Sequence, residues 1–240
     1  MRIMNHKNVI SITRKDIAWN YLGSILNQSM NVLILPFILK LLSTQELGLW
    51  YVFGSVAALV QRMDFGFAPA IMRNISYAWS GASELRAEGI AEMGANGSRN
   101  YPLISSLLAA SRKIYLVISS AAVVVLLSGG SFYVNSLSPS ESEMMLVAWI
   151  VYVIAVFTNL YSGYWNPMFR NIGKTKEINQ ALLFSRALCV VSAAIGLMLG
   201  GGLLWISLSY LVSGLLLMFF HRCTSGILLA TTWGKSVQAA

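Results

Sequence analysis

Six long apolar runs, separated by short polar stretches, dominate the chain. A helix of about 20 apolar residues matches the roughly 30 Å hydrocarbon layer of a bilayer. The runs fall at about 17–42, 47–71, 113–134, 144–169, 181–199 and 203–220. They are continuous rather than alternating, which selects helices over barrel strands. Only 11% of the 240 residues are charged. Soluble domains carry about 25%, so this chain has too few ionic groups for a polar shell. An all-α polytopic membrane protein of about six transmembrane helices is the expected class. A soluble enzyme, a nucleic-acid module and a disordered chain are disfavoured.

The net charge of +8 is set by where the cations lie. Arg2, Lys7, Arg14 and Lys15 precede the first run, and Arg73, Arg86, Arg99, Arg112 and Lys113 lie between the second and third. Arg170, Lys174 and Lys176 follow the fourth, and Arg222 and Lys235 follow the sixth. The opposite loops hold Lys40 alone, beside Glu46, Glu141 and Glu143. This asymmetry places both termini in the cytoplasm. It accounts for the basic excess without nucleic acid. Residues 1–16 form a cytoplasmic tail with no leader-like cleavage pattern, so the first run should stay as a span. Residues 221–240 form a second cytoplasmic tail, whose apolar stretch at 226–232 is too short to cross. Residues 84–93 could make a short surface helix, and Gly200, Gly201 and Gly202 a tight turn.

Polar residues inside the runs carry the functional information. Asn20, Ser24, Asn27 and Asn31 recur at spacings of four, three and four, which puts them on one helical face. Bare amides in hydrocarbon cost several kcal/mol each, so this face must meet other helices or water. Asn159, Ser162 and Asn166 repeat the theme beside Tyr161, Tyr164 and Trp165. Interhelical hydrogen bonding and a cavity wall for hydroxyl-rich cargo carry equal weight as explanations. Arg186 sits within the fifth run, seven residues from Asn179 as Ser185 is from Ser192, where a charge costs about 2.5–3.5 kcal/mol on insertion scales and usually points inward. Snorkelling to the cytoplasmic surface is its competing role. Arg62 and Asp64 form either a buried pair or a site for an anion and a coupling ion. Pro36 removes a backbone hydrogen bond and is a candidate hinge in the first span. His6 and His221 flank the bundle and are read as solvated. Gly196 and Gly200 match a small-residue packing motif. Cys189 and Cys223 make neither a disulfide framework nor a metal site, and no enzyme motif, metal cluster or cofactor-binding pattern is present.

The order Asn20-Tyr21, Leu35-Pro-Phe-Ile38, Glu46-Leu-Gly-Leu-Trp50 and Asp64-Phe-Gly66 with Pro69-Ala-Ile-Met-Arg73 resembles the Wzx-type polysaccharide flippases. These belong to the multidrug/oligosaccharidyl-lipid/polysaccharide exporter superfamily. Ser111-Arg-Lys-Ile-Tyr115 and Arg170-Asn-Ile-Gly-Lys174 extend the resemblance, which is specific over about residues 14–78. It implies one lobe of a two-lobe exporter fold that moves undecaprenyl-diphosphate-linked oligosaccharide from the cytoplasmic to the periplasmic leaflet, in O-antigen, capsule or exopolysaccharide export. The amides at 20, 27, 31, 159 and 166 would then line the cavity, with Arg62 and Arg186 as diphosphate ligands. Members carry about twelve spans, so a second lobe is expected from a longer reading frame, a second copy or a partner chain. Association with glycan polymerase machinery follows the same resemblance. A drug or cation antiporter of the superfamily is the nearest alternative, and a non-transporting scaffold or truncated remnant the other.

Overall fold

The computed structural model describes residues 21, 32–62, 66–85, 99–137, 142–171 and 175–237, and every regular element among them is a helix. Helix α1 (Val32–Leu41) packs Ile34 and Ile38, one turn apart, against Ala193 and Leu197. Helix α2 (Thr44–Arg62) begins with a reciprocal cap. The Ser43 amide and hydroxyl donate to Glu46 Oε2 at 3.0 and 3.1 Å, and the Glu46 amide donates to Ser43 Oγ at 3.3 Å. Helix α3 (Phe67–Trp79) follows Gly66 and buries Ile71, Ile75 and Ala78 at the i, i+4, i+7 positions of one face. The apolar run at 47–71 is therefore shared between two helices, with residues 63–65 outside the described set.

Helix α4 (Tyr101–Val125) is capped by Asn100, whose Oδ1 accepts from the Leu103 amide at 3.1 Å. It passes through a π-helical turn, Leu126–Gly130, into α5 (Ser131–Leu137). The wide turn lies where Trp149 presses on Gly130, since a Cβ there would stand 2.3 Å from the indole ring. Helix α6 (Ser142–Ser162) tightens into a 3₁₀ turn, Gly163–Trp165, before α7 (Asn166–Asn171). Pro167 is the cause: it has no N–H to return to the Gly163 carbonyl. Helix α8 (Thr175–Met198) and helix α9 (Gly202–Val237) are joined by the expected glycine turn. The Gly201 amide bonds back to the Gly196 carbonyl at 2.9 Å, and Gly200 and Gly202 have φ of 80° and 54°.

Four segments are long and apolar enough to cross a membrane: Tyr101–Ser136, Glu143–Asn171, Glu177–Met198 and Gly202–Cys223. They coincide with the third to sixth sequence runs. Helix α9 continues through Val237, past the boundary expected at 221, and the surface helix expected at 84–93 falls largely outside the described residues. Helix α6 is the organising element, in its most extensive contact with α9 and also against α2 and α4. Two clusters form along it. One, toward the Glu46 end, contains Phe53, Trp149, Tyr152 and Leu203. The other, toward the Arg170 end, contains Ile75, Trp165, Phe169 and Ile178.

Candidate functional site in the membrane interior

Arg186 lies nine residues into the Glu177–Met198 segment, about 14 Å from its start at 1.5 Å per residue. Tyr152 lies nine residues into Glu143–Asn171, and Tyr210 eight into Gly202–Cys223. The contacts between these side chains, not the offsets from segment starts at opposite faces, bring a cation and two phenols together on three neighbouring helices. The Arg186 guanidinium carbon stands 5.5 Å from the centroid of the Tyr210 ring. Tyr210 stacks on Tyr152 at 5.7 Å and 23°, and Tyr152 stacks on Phe53 at 4.2 Å and 16°. The Tyr152 hydroxyl donates to the Phe53 carbonyl at 2.5 Å. One column therefore runs from α8 through α9 and α6 to α2. In this column the cation meets a ring quadrupole, an attraction worth about 2 kcal/mol once desolvated. The Tyr210 side chain also engages Arg186 by a hydrogen bond, but a guanidinium carries five N–H donors and a phenol has no charge with which to neutralise it. The side chain can therefore still bind an anion's oxygens.

Asn159 converges on the same place. Its Nδ2 donates to the Ala155 carbonyl at 2.8 Å and to the Tyr210 carbonyl at 3.2 Å. This bond ties α6 to α9, where a Cβ on Gly214 would fall 2.7 Å from Asn159 Nδ2 and 2.4 Å from Thr158 Oγ1. Ser185, the residue before Arg186, donates its Oγ–H to the Ser213 carbonyl at 2.8 Å and meets Ser213 Oγ at 2.7 Å. Small residues and hydroxyls thus allow α8, α9 and α6 to approach closely around the cation.

The other expected site residues stand apart from this column. Asn166 opens α7, and its buried Oδ1 has no hydrogen-bond partner among the described residues. Arg62 is exposed in the last turn of α2, where a cation complements the helix dipole. Pro36 is exposed within α1. Asn20, Asn27, Asn31 and Asp64 lie outside the described residues. His221 corrects an expectation: it is 2% exposed rather than solvated, and it stacks on Phe169 at 5.6 Å. Gly196 serves a neighbouring side chain, since a Cβ there would overlap the Trp205 ring, whose Nε1 donates to the Ser192 carbonyl at 2.9 Å.

Tyr152 and Tyr210 were not singled out from sequence, because a tyrosine in an apolar run reads as core. Glu46 closes Ser43-Thr-Gln-Glu46, a capping-box pattern. Its Oε1 also accepts from the Leu203 amide at 3.0 Å, so one carboxylate joins the starts of α2 and α9. It borders a cavity of about 990 Å³ that also contacts Gln45, Glu143, Met144 and Gly201. Among the described residues, no group of three or more His, Cys, Asp or Glu could hold a metal. Comparison with protein-family models, curated proteins and solved structures finds no match.

Proposed function

We propose that this chain is one lobe of a flippase of the Wzx type, with six spans and both termini cytoplasmic in a bacterial inner membrane. Its cargo is an undecaprenyl-diphosphate-linked oligosaccharide, and its partner is a second lobe. The observation that carries this reading is Arg186. A cation at mid-segment depth, set against the Tyr210 ring, keeps donors for a phosphate. The sequence resemblance over residues 14–78 and the excess of cations at the cytoplasmic ends support the same reading. As the diphosphate enters, its oxygens replace water around the guanidinium, while the lipid tail stays in the bilayer. The column to Phe53 then couples the position of α8 to that of α2. A rocking motion of the lobes would move both together.

The test is transport of a fluorescent undecaprenyl-diphosphate glycan across proteoliposomes that hold this chain with its second lobe. Arg186→Ala is expected to slow transport about tenfold or more, the loss of one charge-assisted contact. Arg186→Lys should recover part of the rate, because a lysine keeps the charge but not the bidentate fork. Equal rates for all three proteins would refute the proposal.

A further inference from the structure

The transport reading leaves a second fixed cation unexplained. Arg112 stands on α4, eleven residues into the 36-residue segment Tyr101–Ser136, which runs on through the π turn into α5 and outruns the roughly 20 residues that a bilayer requires. It is exposed, and its Nε–H donates to the Tyr161 hydroxyl at 2.9 Å. Tyr161 is itself held, stacked on Phe157 at 5.8 Å and 9° and tilted against Tyr164 at 5.1 Å. Ser111, the preceding residue, donates to the Tyr164 carbonyl at 3.2 Å and pins α4 to the 3₁₀ turn at this level. A Cβ on Gly163 would stand 3.1 Å from the Tyr115 ring, so helix and turn are in close contact. Arg222 of α9 also lies within electrostatic reach of Tyr164.

Most cations at this end have a sufficient explanation in topology, which asks only for charge. Arg99 is held over the Trp79 ring at 4.1 Å, whereas Arg112 is oriented by a hydrogen bond to a phenol. A neutral phenol holds its Nε without cancelling its charge, and among the described residues its two terminal amino groups are left for a planar pair of oxygens. If the 20 residues that end at Ser136 cross the bilayer, Arg112 falls at its edge, where tyrosines beside a guanidinium match the depth of lipid phosphates. We propose that Arg112 and Tyr161 form a binding site for the phosphate of an anionic lipid headgroup at the cytoplasmic rim. The site uses the orientation proposed above but not the transport reading, so it survives an idle Arg186.

The neighbouring Lys113 supplies the control. It is exposed and carries the same charge, but it points about 100° away around the helix. The experiment titrates the full chain in neutral detergent micelles with a fluorescent phosphatidic acid. Arg112→Gln is expected to weaken binding about tenfold and Lys113→Gln less than twofold. Tyr161→Phe, which leaves every charge in place, should weaken it about threefold by freeing the guanidinium. Equal losses for Arg112→Gln and Lys113→Gln would mean diffuse surface charge and overturn the site, as would an unaltered Tyr161→Phe protein. Displacement of the lipid by equimolar glycerol phosphate would overturn the lipid as source and assign the site to a soluble phosphate.

Discussion

Arg186 carries the interior site because its surroundings give it shape but not neutrality. Tyr210 offers a ring to the guanidinium and a carbonyl to Asn159, so one residue positions two of the groups that sequence singled out. The polar residues were legible because amides and cations stand out in an apolar run. Tyr210 was not, since its importance depends on how α9 is rotated against α6 and α8. Glu46 shows the opposite case: its capping pattern was readable locally, but its second bond to Leu203 joins residues 157 apart. Gly202 makes that bond possible. Its φ is +54°, and a Cβ would lie 2.3 Å from Glu46 Oε1. Gly202→Ala is therefore expected to destabilise the protein by about 1–3 kcal/mol through backbone strain and loss of the cap. Thermal unfolding in detergent measures this, and an unchanged midpoint would show that the turn relaxes freely.

Helices three to six of the sequence reading could be recognised because each is one continuous apolar run. The run at 47–71 hid a boundary: α2 ends at Arg62 and α3 begins at Phe67, although the apolar residues continue on both sides. Hydropathy averages over such a break, whereas the left-handed backbone of Gly66 marks it. The π turn at Leu126–Gly130 was equally invisible, because it depends on Trp149 reaching Gly130 from another helix. Between α6 and α9, contact is intimate at Gly214, and Asn159 adds a hydrogen bond to it. Interhelical hydrogen bonds in membranes average about 0.6 kcal/mol and reach about 1.7. Asn159→Ala should fall in this range, while Gly214→Val should cost more, because its side chain would strike Thr158 and Asn159. Unfolding by titrated denaturing detergent ranks the two, and the reverse order would show that polarity, not close approach, holds this pair.

For the whole molecule, the membrane class follows from composition and run length, and the four apolar segments agree with it. Orientation is inferred from the cations and cargo from chemistry, so both depend on whether water reaches the interior cation. Cysteine reactivity decides that most directly. Arg186→Cys, in a background with Cys189→Ser and Cys223→Ser, is placed in sealed inverted membrane vesicles and treated with a charged, impermeant thiol reagent. A wet passage open to the cytoplasmic face predicts labelling of position 186 in the intact vesicles. Labelling that occurs only after detergent disrupts the bilayer would mean that Arg186 faces lipid or protein, and no passage for a charged headgroup exists there.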